Sequence, residues 1–237
     1  YLDKGGNMVL TFEPQRADIV SRILEYLGVG VLSGTMVYPV SQTSPTVIPA
    51  ETTDYASTLS PYFFYGMKVS MPTAAAIDYR LSSEWDAVPI LASPGKDCWN
   101  ETEITDFSSI SDISELTTNI DVGEFKKAHS LALGLSRKVN GKEQRVVVIG
   151  DSDCLSNVEM TTPRKSFKAF NSLFCTGVFN WLSDNRLPIE VNRQGPIDND
   201  IDITPDKAYT WTILLKWLFQ GLLALAGIII IFNRQRR

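Results

Sequence analysis

The chain has 237 residues, enough for one domain of ordinary size or one large domain with an appendage. With 44% hydrophobic and 21% charged residues it has a globular composition, which excludes wholesale disorder. A formal net charge of −5, with no long basic block, excludes a binder that neutralises many nucleic-acid phosphates.

The opening YLDKGGNMVLTF reads as the end of a helix, a break at Gly5-Gly6 and a strand from Met8 to Phe12. It shows no charged region followed by an apolar core, so no signal peptide is visible and a start trimmed upstream is expected. Pro14 suits a first helical turn. Ile19, Val20, Ile23, Leu24 and Leu27 then recur at helical spacing, with Gly28 as the expected cap. Val29 to Val40 returns to a strand pattern. This β-α-β order predicts an α/β fold, a sheet covered by helices.

Ser41 to Ser60, rich in Ser, Thr and Pro, reads as a loop. The aromatic knot Tyr62–Tyr65 reads as a packed core edge. Val88 to Leu91 is a short strand, followed by an acidic, Ser/Thr-rich loop from Asn100 to about Asn119 that opens on the sequon Asn100-Glu101-Thr102. Ser130 to Val139 and Arg145 to Ile149 flank Asn140-Gly141, a strong hairpin turn. Phe167, Phe170, Phe174, Val178 and Trp181 predict an amphipathic helix over Ser166–Ser183, its aromatic stripe on the sheet.

The most pointed stretch is Arg145 to Asn157, where a Val/Ile strand breaks on Gly150 into Asp151-Ser152-Asp153. Asp151 and Asp153 could hold a divalent ion, since hard cations want carboxylate oxygens. They could equally cap the turn that follows. Asp151, Ser152, Asp153 and Asn157 are therefore candidate ligand contacts or a shaped loop. No phosphate-binding glycine loop, dinucleotide fingerprint or nucleophile elbow occurs. Cys98, Cys154 and Cys175 lie far apart, read as partly buried thiols, and exclude a zinc cluster by spacing. The one histidine, His129, has no motif around it and reads as a surface or edge residue. No catalytic residue, metal or cofactor is expected.

The C-terminus gives the clearest signal. An apolar segment over 211–232 has the length of a bilayer span. Trp211 and Trp217 stand near one end as interfacial aromatics, and Lys216 can snorkel to the headgroups. Arg234, Arg236 and Arg237 follow, whereas Asp198, Asp200, Asp202 and Asp206 precede. The positive-inside rule then puts a tail over 233–237 in the cytoplasm and an extracytoplasmic domain over 1–190 outside, joined by a polar connector over 191–210.

Several blocks in order resemble the Gldg-type, gliding-motility-associated ABC-transporter auxiliary proteins. They are Tyr1–Asn7 with the helix ending at Leu27-Gly28, then Val88–Pro94 with Trp99 and Glu101. Arg145–Asn157, Phe179–Leu182 and the tail anchor follow. Cys154 stands where that family often has Phe. The resemblance implies a non-catalytic accessory subunit partnered by an ABC-2-type permease, a separate ATPase and membrane lipid. It implies an inner-membrane location in a bacterium. It also implies an open, mostly parallel α/β sheet with flanking helices, like the class I glutamine amidotransferase or flavodoxin folds, without catalytic Cys and His. Two alternatives stay open: a ligand-binding module, for instance for a glycan, and a membrane-anchored hydrolase using Asp151 and Asp153.

Overall fold

The computed structural model describes residues 1–40, 44–79, 84–107, 110, 113, 116–161, 163–164, 166–184, 186 and 205–236. They fall into two units, Tyr1–Leu187 and Pro188–Arg237.

In the first unit, the apolar runs form β1 (Met8–Thr11) and β10 (Lys142–Ile149), which pair in parallel. Between them come α1 (Ser21–Leu27), β2 (Val29–Val31), β3 (Thr35–Val37) and β4 (Val47–Thr52). Next are β5 (Lys68–Pro72), β6 (Ile77–Tyr79), β7 (Asp86–Ala92), β8 (Trp99–Glu101) and β9 (Ser130–Val139). The main sheet has eight strands, running β1-β10-β9-β7-β4-β5, with β6 branching off β9 to carry β2. β3 and β8 form a separate ribbon.

The mostly parallel α/β sheet is therefore corrected. This is a large curled mixed sheet with few helices, in which β1–β10 is the one parallel pair among the described strands. A parallel neighbour needs a long crossover. Between β2 and β9, however, the described residues hold strands and short 3₁₀ turns such as Ala56–Thr58. Consecutive segments there fold back on each other, β4 on β5 for instance. β2 follows α1 as expected but pairs with β6, not β1.

Four local readings change as well. Val29–Val40 is two strands, split at Gly34 (φ 111°), whose tight approach to the Glu101 carbonyl leaves no room for a Cβ. Ser41–Ser60 contains β4. The predicted helix over Ser166–Ser183 starts only at Asn171, as α3 (Asn171–Leu182). His129 is buried, just before β9, not on the surface. The sequon Asn100 is also buried, its amide donating to the Ser33 carbonyl.

Each face of the sheet has its own core. Leu10, Phe12, Val146 and Val148 pack under Leu24 and Leu27 of α1. The alternate residues Val147 and Ile149 pack under Phe174, Val178 and Trp181 of α3, with Phe63 from the aromatic knot. The edge strand β5 is closed by Asn171. Its amide accepts from Ser70 N–H (2.9 Å) and donates to Ser70 C=O (2.8 Å), in place of a neighbouring strand.

In the second unit, α4 (Pro205–Ile213), a wide π turn (Leu214–Leu218) and α5 (Phe219–Gln235) run on as one helix. Its stretch Tyr209–Arg234, 26 residues, is long and apolar enough to cross a membrane, and none of its most apolar window is buried. Helix thus begins inside what reads as polar connector. Asp198, Asp200, Asp202 and Arg237 lie outside the described residues.

Candidate functional site

The parallel pairing of β1 and β10 decides where the site lies. Their carboxyl ends stand side by side, tied by Phe12 N–H donating to Ile149 C=O (3.2 Å). From there the chain leaves β1 for α1 on one face and leaves β10 for α3 on the other. Open α/β sheets bind ligands at such divergences of parallel strands, and the β1–β10 pair reproduces that feature locally within this mixed sheet.

Gly150 closes β10 at this point. Its N–H donates to Leu131 C=O (2.9 Å) and its carbonyl accepts from Ala75 N–H (2.7 Å). A Cβ on residue 150 would collide with the Ala75 carbonyl oxygen, so the turn needs glycine.

Asp151 follows with its side chain fully buried. Oδ1 accepts from Cys154 N–H (3.0 Å), within the 3₁₀ turn Asp153–Leu155, while Oδ2 has no partner among the described residues. The Cys154 thiol donates to Asp151 C=O (3.2 Å). Burial pushes the Asp151 carboxyl well above the usual carboxylate range, and the nearby Glu13 and Asp153 charges push the same way. Bonds from the Cys154 and Asp153 amides oppose this without reversing it. The loop therefore favours a neutral acid at its centre. Burial raises the Cys154 thiol too, and lifts Cys98 to about 12, so both are poor thiolates.

Glu13 is the residue the sequence did not single out. Oε1 accepts from Ser152 N–H (2.8 Å) and Oε2 from the Thr73 hydroxyl (3.0 Å). Thr73 holds a left-handed backbone (φ 60°) and bonds Thr46 C=O through its own N–H (3.0 Å). Glu13 thus ties the segments after β1, β5 and β10. The signal for it would have been position: Glu13 follows β1 much as Asp151 follows β10. It becomes visible only once those strands are known to be parallel neighbours.

Of the sequence candidates, Asp151 and Ser152 come together with Glu13, whereas Asp153 and Asn157 are exposed. Asn157 opens the helix α2 (Asn157–Thr161). Behind it, Glu159 and Arg164 form a largely buried ion pair that reaches the Ser70 hydroxyl (3.1 Å). Asn171 adds a bond to Cys154 C=O (2.9 Å). Among the described residues, no three His, Cys, Asp or Glu side chains converge as a metal would require. In the second unit Trp211, Lys216 and Trp217 are exposed along the helix, and Arg234 and Arg236 stand at its end.

No family model and no curated protein matches the chain. Among solved structures it is similar to the mmIFT52 N-terminal domain, with a TM-score of 0.53 at 17% identity over 77% of this chain and 67% of that one. At such identity the likeness is one of fold, and that fold is not flavodoxin-like.

Proposed function

We propose that the chain is a membrane-anchored, non-catalytic accessory subunit whose first unit docks on, or gates, an ABC-2-type permease worked by a separate ATPase. The observation that carries this reading is the helix Tyr209–Arg234, with the length and composition of a bilayer span. The acidic loop supports it from the other side. An Asp151 carboxyl that is fully buried, with one oxygen engaged by Cys154 N–H, is out of reach of a substrate and poorly placed as a base or nucleophile. The partner class rests on the sequence blocks that resemble the gliding-motility-associated auxiliary proteins. Arg234, Arg236 and Arg237 on one flank of the helix favour a cytoplasmic tail, with the first unit across a bacterial inner membrane.

The test is to solubilise native membranes in mild detergent, capture the intact chain and identify what stays bound by mass spectrometry. A permease and an ATPase in near-equal amounts are expected. Recovery of the chain alone would remove the accessory reading.

A second reading is favoured by one geometric fact, the placing at diverging strand ends of Glu13, Ser152 and Asp151, whose Oδ2 has no partner among the described residues. A ligand-binding module would use that place. Titration calorimetry with envelope glycans tests it: heat that vanishes in Glu13→Ala supports the module, and unchanged heat removes this site from it.

A further inference from the structure

His129 is the single histidine of the chain and takes no part in the turn around Asp151. Its backbone is held by Ser93. The His129 N–H donates to the Ser93 hydroxyl (3.0 Å), and the His129 carbonyl accepts from Ser93 N–H (2.9 Å). The side chain is only 9% exposed, yet neither ring nitrogen has a hydrogen-bond partner among the described residues. Buried polar side chains seldom stand alone in this way. The residue lines a cavity of about 340 Å³.

The sheet decides what shares that cavity. β6 meets β9 at Ile77 and Ser130, so the next antiparallel position sets Asp78 opposite His129. Residues opposite each other in an antiparallel pair project from the same face, with Cβ atoms about 5 Å apart. Lys127, two residues before His129, belongs to that face too. On the far side of Asp78 the partner in β2 is Gly30, which adds no side chain. Leu32, two residues on, supplies an apolar wall. Asp78, Lys127 and His129 thus converge on one cavity. Among the described residues the Asp78 carboxylate and the Lys127 ammonium make no hydrogen bond or ion pair, either with each other or elsewhere.

Burial holds the His129 ring below its usual pKa, and the Lys127 charge pushes the same way, so the ring is uncharged at neutral pH. A neutral imidazole carries one donor and one acceptor. The cavity therefore offers one negative group, one positive group and one neutral donor beside an apolar wall. We propose that it binds a small zwitterion of the amino-acid class. The ligand's carboxylate meets the Lys127 ammonium and the His129 ring N–H, its ammonium meets the Asp78 carboxylate, and a short side chain rests on Leu32. An anion alone would face the like charge of Asp78, and a cation alone that of Lys127. The volume lies at the low end of ligand pockets, about 300–1,000 Å³. This cavity is separate from the Glu13–Asp151 turn, and its role does not rest on the membrane or docking readings.

Because the chain has one histidine, isotopic labelling of histidine at Cε1 gives a single ring signal from the full chain in detergent micelles. The test titrates that signal with L-alanine, with acetate, which has only the carboxylate, and with methylammonium, which has only the ammonium. A saturable shift with alanine is expected, with acetate and methylammonium each binding at least about fivefold more weakly. Bound alanine is expected to raise the ring's titration midpoint by about one pH unit, because its carboxylate offsets the Lys127 charge. Asp78→Asn and Lys127→Met should each weaken alanine binding about fivefold. Both side chains are exposed, so thermal unfolding of the variants should match that of the natural chain. Absence of a saturable shift with alanine would overturn the proposal. Acetate binding as tightly as alanine, unaltered by Asp78→Asn, would overturn it as well, by making the cavity an anion site.

Discussion

At Asp151 one carboxyl oxygen accepts the Cys154 amide and the other, equally buried, has no partner among the described residues. Glu13 stands close by with both its oxygens already engaged. An ionised Asp151 would set a second charge beside it in a place without solvent, so the folded chain keeps the proton to higher pH than the unfolded chain does. The unfolded chain releases it near pH 4. Between that value and the raised folded one, the native state binds more protons than the unfolded state. Stability therefore falls as pH rises through the window, by up to about 1.4 kcal/mol per pH unit. Asp151→Asn keeps the oxygen that accepts from Cys154 and cannot ionise. It is expected to melt above the natural chain at about pH 8 and close to it at about pH 4. Thermal melts at the two pH values check this, and an equal offset at both would mean that Asp151 does not carry the proton.

Asn171 is where an element depends on one side chain. β5 is an edge strand, and its outer N–H and C=O at Ser70 are answered by the Asn171 amide, which also binds Cys154 C=O behind the acidic turn. Asn171→Ala leaves three buried backbone groups without partners. It is expected to cost about 2–4 kcal/mol in urea unfolding and to open the β5 edge to association. A loss under about 0.5 kcal/mol would show that water replaces the amide at no penalty.

How much of the element plan was legible follows from the reach of each signal. The β9–β10 hairpin could be read because Asn140 and Gly141 both take positive φ (52° and 76°), the conformation that this dipeptide favours. α1 could be read from its apolar spacing and the left-handed Gly28 cap (φ 70°). β4 could not, because Pro45 and Pro49 mark a loop in sequence. In the sheet Pro49 faces only β5, since β4 meets β7 from Glu51 onward. Pro89 in β7 falls at a register shift, another place that tolerates a missing donor. The β1–β10 pairing joins opposite ends of the first unit and has no local mark at all. Asp151 could therefore be found from sequence while Glu13, its neighbour across that pairing, could not.

At the scale of the molecule, the sequence speaks most plainly where structure adds least, along the C-terminal helix. The helix Tyr209–Arg234 is long and apolar enough to span a bilayer, and for the proposed anchor the charge at its ends sets the expected orientation. With Arg234 and Arg236 at one end and Lys216 alone within the span, the cost of carrying the arginine cluster across the bilayer favours one orientation. Protease added to intact spheroplasts is then expected to digest the first unit and to spare an epitope placed after Arg237. Replacing Arg234, Arg236 and Arg237 by Glu removes the bias and is expected to yield a mixed population, with part of the epitope now accessible. The opposite pattern in the natural chain, an epitope cut and a first unit spared, would put the folded unit in the cytoplasm. The ATPase proposed above would then share its compartment. The orientation measurement therefore decides which side of the membrane the folded unit faces, before any partner is known.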